Sequence, residues 1–184
     1  MLGDKTALML GRLTLNPAKH IDLIGTVVVP LLLLYWGGFI FGWAKPVPIN
    51  PRNFKNPKRG LALVAVAGPL ANFLMALGWS GILKVSLSFL SVYPMVARPL
   101  VLMGYAGILI NIVLMILNLI PIPPLDGSRI VAAFLPRKML YYYAQLERYG
   151  FFILLLLIVT HALDYILAPG FLAVRWLIQA IFKL

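Results

Sequence analysis

Cysteine is absent, which excludes a disulfide framework and thiolate chemistry and leaves the redox compartment open. Acid is scarce: five Asp and Glu stand against 16 Lys and Arg. Charged residues make up 11% of the 184, hydrophobic residues 62%, and the mean hydropathy is +0.96. No ordinary water-soluble domain has that balance. In a soluble chain the net charge of +11 would suggest nucleic acid. Here, basic residues in short loops read as orientation signals and lipid-headgroup contacts, so no nucleic-acid partner is expected. A secretory signal is not expected either, because Met1-Leu-Gly-Asp-Lys5 is not a basic stub before an apolar core. Histidine occurs only at His20 and His161, and glutamate only at Glu147. A His-Glu-x-x-His pair on one helix face, the usual helical holder of zinc, is thereby excluded.

What remains is a series of apolar runs separated by basic, proline-rich connectors. Residues 23–44, 61–83, 99–120 and 149–167 each have about the length needed to cross a hydrocarbon core of ~30 Å. Pro30 and Gly37-Gly38 allow the first of these to kink or re-enter. Before it, residues 1–20 contain a Gly3-Asp4 turn dipeptide and the alternation Leu13-Thr14-Leu15, which predict two short strands forming a β-hairpin at the membrane interface. The connector from Lys45 to Arg59 is basic and rich in proline, which favours extended backbone. Residues 168–184 predict a C-terminal amphipathic helix. The expected fold is a single all-α polytopic membrane domain over residues 1–184, with about four spans plus the hairpin. With all four spans crossing, nine of the 16 basic residues share the side of segments 44–60 and 121–150. That puts the second segment near the cytoplasmic face, and a re-entrant first span would alter the sum.

One stretch organises the rest: Asn118-Leu-Ile-Pro-Ile-Pro-Pro-Leu-Asp126-Gly127. Its three prolines donate no backbone hydrogen bond and push the preceding residues toward extended geometry, so a helix from about Pro99 must stop near Asn118. Irregular backbone at membrane depth persists only when buried in protein or lining a wet cavity. Asp126 after prolines and before Gly127 is a good N-cap for a short helix ending at Pro136. Ionisable residues at such depth also tend to be functional, and a carboxylate is a zinc ligand by chemistry. Asn72 lies near the middle of its run, where an amide either bonds helices together or faces a substrate. Asn111 and Asn118 are two turns apart on one inward face. Asn72, Asn111, Asn118 and Asp126 also suggest an alternative, a polar pathway in a small channel or transporter. His161 and Asp164 share a helix face where the fourth span meets water, and read as a polar helix end. His20, beside Lys19 and Asp22, has the same reading.

Four motifs, in order and spacing, resemble the site-2 protease family, the intramembrane zinc metalloproteases of the M50 type, in its short bacterial form. They are Gly11-Arg-Leu-Thr-Leu-Asn-Pro17 with His20-Ile-Asp22, Phe41-Gly-Trp-Ala-Lys-Pro-Val-Pro48, Ala67-Gly-Pro-Leu-Ala-Asn72, and the stretch ending in Leu-Asp126-Gly127. The resemblance implies a multi-pass protein of the bacterial cytoplasmic membrane that hydrolyses peptide bonds in transmembrane protein substrates. It implies that Asp126 is the third zinc ligand, that Asn118, Pro121 and Pro124 shape the substrate-binding region, and that Asn72 lies close by. It also implies that the N-terminal hairpin influences substrate access. An extended segment over residues 120–125 is expected to offer unpaired backbone groups to an unwound substrate strand.

The family's His-Glu-x-x-His motif sits just upstream of a Leu-Gly-Asp that this chain carries at residues 2–4. A hydrolytic zinc needs three protein ligands, an open position and a base. Asp126 alone cannot supply them, so the 184 residues are expected to be inactive by themselves. The sequence reads as a truncated form in which Met1 is internal to a longer protease. The alternative is a pseudoprotease that binds membrane partners without cutting.

Overall fold

The computed structural model describes residues 3–14, 16–37, 42, 44, 45 and 47–182, without the side chains of Pro17 and Arg137. Two compact units divide it, Met1–Gly60 and Leu61–Leu184.

In the first unit the expected hairpin is not formed, and no strand occurs among the described residues. The short helix α1, Thr6–Met9, takes the place of the first strand. The cause is local. The Asp4 carboxylate accepts the backbone N–H and the hydroxyl of Thr6, which favours a helical start over extended pairing. Pro17–His20 is a 3₁₀ turn whose N-cap Asn16 accepts the Ala18 N–H. Arg12 donates to the Lys19 carbonyl across the loop between them. The first apolar stretch forms a π-helical turn, Leu23–Val28, running into α2, Val29–Tyr35. Together these 13 residues are shorter than a membrane crossing. The Lys45 N–H donates to the His20 carbonyl at 2.9 Å, so the residues flanking this stretch on either side are in contact. Residues 38–41 and 43, in the second half of the expected first span, lie outside the described residues, as does much of the Phe41–Pro48 motif. Asp4 also accepts the Asn50 N–H and the Asn53 side-chain amide, tying the connector to the start of the unit.

In the second unit the apolar runs become long helices. Helix α3 is Pro57–Phe89, α4 is Pro94–Leu119, α5 is Asp126–Phe134, α6 is Arg137–Gln145, α7 is Glu147–Val159 and α8 is Ala162–Phe182. Three of these, α3, α4 and α8, are long and apolar enough to cross a membrane, and the pair α6 and α7, bent by 55°, is a fourth candidate. The boundary expected near residue 167 falls instead at His161. Its φ of 56° is left-handed backbone, which stops α7 and lets α8 run unbroken through Pro169. What reads as a fourth span and a separate tail is thus one shorter helix and one apolar helix of 21 residues.

The core of this unit joins α3, α4 and α8 through Ala76, Ile112 and Ile178, with Ile108, Ile116, Phe171 and Val174 around them. The pairings run in order: Gly104 against Leu83, Gly107 against Trp79, Gly170 against Ile116. Helix α4 is therefore antiparallel to both α3 and α8. At one end of the bundle Lys84 donates to the Phe182 carbonyl at 2.6 Å. The other end holds the break after α4.

Candidate metal and substrate site

Helix α4 stops where the prolines require it. Leu119 is its last residue, and Ile120, before Pro121, has extended dihedrals. The expected extended segment does not follow. Three residues of 120–125 have an N–H, and all three bond locally: Ile120 to the Leu117 carbonyl at 3.1 Å, Ile122 to Ile120 at 2.8 Å, Leu125 to Ile122 at 2.9 Å. The Pro123–Pro124 peptide is cis. The segment is a stack of tight turns with no free backbone donor, because the prolines have none and the rest are used. One carbonyl is also taken, since the Tyr143 hydroxyl donates to the Pro121 oxygen at 2.7 Å.

The turns are clamped from two sides. A Cβ at Gly127 would strike the Leu119 carbonyl and lie 2.5 Å from that of Ile120, so the start of α5 sits directly on the end of α4. A Cβ at Gly150 would overlap the Pro123 carbonyl, so α7 closes on the turns with only a hydrogen between. Glycine at both places is a requirement of space.

Asp126 is not the N-cap expected from its sequence context. Leu125 holds the cap position without a side-chain cap bond, while Ser128 donates its N–H and hydroxyl to the Leu125 carbonyl. Asp126 is instead the first helical residue, and its carboxylate turns toward α3. There it faces Gly68, where an added Cβ would lie 2.7 Å from Oδ2. Gly68 is seven residues inside the apolar run that begins at Leu61, so the half-buried carboxylate meets α3 about 10 Å into that run. Among the described residues no donor reaches it. Arg129, one turn along α5, is the positive charge acting on it.

The other expected site residues surround this point to different degrees. Asn72 is one turn beyond Gly68 on the same face of α3 and is half-buried. Asn118 is half-buried in the last turn of α4, and Pro121 and Pro124 are exposed. Asn111 faces inward as expected, but its side chain donates to the Gly107 carbonyl of its own helix at 2.8 Å. His161 pairs with Asp164 at 3.1 Å, both well exposed, and a His20 ring nitrogen lies 3.2 Å from the Thr14 carbonyl.

Tyr143 and Gly150 hold the site, yet neither is readable as doing so from sequence. Tyr143 lies in a run of three tyrosines with the composition of an interfacial belt. Only the structure separates it from Tyr141 and Tyr142. Beside it is a hollow of about 120 Å³ lined by Pro123, Pro124, Ser128, Arg129, Tyr143 and Glu147 among others.

The donor set does not fit a catalytic zinc by itself. No three His, Cys, Asp or Glu side chains gather among the described residues. What the residues define is a bundle of helices long and apolar enough to cross a membrane, with the half-buried Asp126 carboxylate beyond a broken helix.

Residues 93–160 match the model of "Peptidase family M50". The chain is 39% identical over 168 residues to "Putative zinc metalloprotease YwhC" of Bacillus subtilis (strain 168), covering 91% of this chain and 74% of that protein. It is 26% identical over 162 residues to "Putative zinc metalloprotease Rip2" of Mycolicibacterium smegmatis, covering 88% of this chain and 59% of that protein. No solved structure matches. The chain belongs to the site-2 protease family, peptidase family M50.

Proposed function

We propose that these 184 residues form the substrate-side half of an intramembrane zinc protease of the bacterial cytoplasmic membrane. Asp126 is its third metal ligand, and Asn72, Asn118, Pro121 and Pro124 lie beside the transmembrane substrate. One observation carries this reading: Asp126 is a half-buried carboxylate with no hydrogen-bond donor among the described residues, facing a residue that has no side chain. A capping or purely structural Asp would be spent on backbone N–H groups. The relatives named as zinc metalloproteases support the metal at the level of the family.

The 184 residues alone do not cleave. Two ligands and a general base must come from outside them. The turn stack also changes what substrate binding means. With every N–H of residues 120–125 in use, an unwound substrate meets carbonyl oxygens and proline rings there, so the substrate has to donate. A pseudoprotease would share this architecture, and restoring the missing groups separates the two. With a His-Glu-x-x-His helix fused ahead of residue 1, chelator-resistant zinc at one per chain is expected, and it should fall away in Asp126→Ala. Stoichiometric zinc in the unmodified chain, or zinc indifferent to Asp126, would overturn the ligand assignment.

A further inference from the structure

Away from Asp126, at the Lys84 and Phe182 end of the bundle, a second opening lies between α3, α4 and α8. Its volume is about 430 Å³, and its walls include Leu83, Leu87, Ile108, Ile112 and Phe171. Three side chains with polar atoms interrupt this wall, Tyr105 on α4 and Arg175 and Gln179 on α8. Arg175 and Gln179 are one turn apart, on the stripe that also carries Phe171 and Ile178, so they border the cleft rather than the opposite face.

Arg175 is out of place in a helix otherwise apolar enough to span a membrane. It lies seven residues before Phe182, about 10 Å along the axis, near enough to the helix end for its guanidinium to reach a headgroup. An arginine in a span is normally matched by a carboxylate or faces a polar ligand. No carboxylate among the described residues serves it. The acidic residues of this unit are Asp126 against Gly68, Glu147 beside Pro123 and Pro124, and Asp164 paired with His161. Lys84 and Arg98, near the adjoining ends of α3 and α4, add positive charge to this end of the bundle.

We propose that this cleft binds one anionic phospholipid, with an acyl chain against the leucine and isoleucine wall and the headgroup phosphate on Arg175 and Gln179. The size favours a chain over a helix. One helical turn, about 10 Å wide and 5.4 Å long, would fill such a volume alone. Guanidinium and phosphate match in charge and in geometry. The proposal depends on the helices crossing a bilayer and is independent of the protease reading.

The test uses the whole chain, purified in detergent with equimolar palmitoyl-oleoyl phosphatidylglycerol and phosphatidylcholine and then examined by native mass spectrometry. Retention of one phosphatidylglycerol per chain in preference to phosphatidylcholine is expected. Arg175→Gln should lower that retention at least about fivefold, near the effect of one basic residue on an anionic lipid surface, while Arg175→Lys keeps most of it. Ile108→Trp, which fills the cleft without touching charge, should lower retention of both lipids, and an unchanged thermal midpoint in each variant shows that the bundle is intact. Inorganic phosphate at millimolar concentration should not compete. Equal retention of the two lipids, no effect of Arg175→Gln, or displacement by free phosphate would each overturn the proposal.

Discussion

Replacing Gly68 with Ala separates the position of the Asp126 carboxylate from the stability of the bundle. The new Cβ would lie 2.7 Å from Asp126 Oδ2, and ordinary contact begins at 3.4 Å, so about 0.7 Å must be found. The obstructing atom is the tip of a side chain, which can rotate away. An off-rotamer displacement of roughly 30° costs about 0.5–1.5 kcal/mol. Replacing glycine in a helix interior returns about 1 kcal/mol in helix propensity. The two nearly cancel, so the thermal midpoint of Gly68→Ala should stay within about 4 °C of the parent, on a scale of about 2–4 °C per kcal/mol for a chain this long. The carboxylate itself must move, and the ¹³Cγ resonance of Asp126 in a specifically labelled sample should shift with it. Gly127→Ala is the contrast. Its Cβ would meet the backbone carbonyls of Leu119 and Ile120, which cannot rotate away, and overpacking of that kind costs about 1–3 kcal/mol. Its midpoint should fall by several degrees. If Gly68→Ala destabilises as much as Gly127→Ala, or leaves the Asp126 resonance in place, the two residues do not face each other as described.

Tyr143→Phe removes the hydroxyl bound to the Pro121 carbonyl, a loss of about 1 kcal/mol, and should speed hydrogen exchange at the Ile122 and Leu125 amides while Tyr141→Phe and Tyr142→Phe do not. Equal effects from all three would remove Tyr143 from the clamp. In the first unit, hydrogen bonds from the Thr6 hydroxyl, the Asn53 amide and the Asn50 N–H hold the Asp4 carboxyl well below the usual carboxylate range. A lowered native value means that the tie contributes fully above the ordinary carboxylate pKa and is lost only as pH falls through the lowered one. Exchange protection at Asn50 should therefore persist below the ordinary carboxylate pKa in the parent and be absent at all pH values in Asp4→Ala. Protection that disappears near the usual carboxylate pKa would contradict this.

Much of the second unit is legible in the sequence because its determinants are local or compositional. Apolar length marks α3 and α4, and three prolines stop α4 within a residue of the expected place, whereas the break at His161 that separates α7 from α8 has no signal in apolar length. The Ala67–Asn72 motif is recognisable in the sequence, but not that the Asp126 carboxylate meets it at Gly68. The N-terminal hairpin is misread because alternation at Leu13-Thr14-Leu15 is short, while Asp4 biases Thr6 toward a helical start that alternation does not register. The turn stack is misread for a different reason. Prolines announce irregular backbone but not where the remaining N–H groups go, and here each closes a turn. The roles of Tyr143 and Gly150 depend on contacts over 22 and 27 residues, beyond any local pattern.

The most direct measurement is cleavage of a transmembrane test substrate in proteoliposomes by the 184-residue chain, by the chain with a fused His-Glu-x-x-His helix, and by that fusion with Asp126→Ala. No product is expected from the first. Cleavage is expected from the second, reduced by more than about a hundredfold in the third, because even residues that only orient metal ligands are worth about 10–100-fold. Cleavage by the unmodified chain, or by the fusion without Asp126, would contradict the assignment of Asp126 as the ligand this chain supplies.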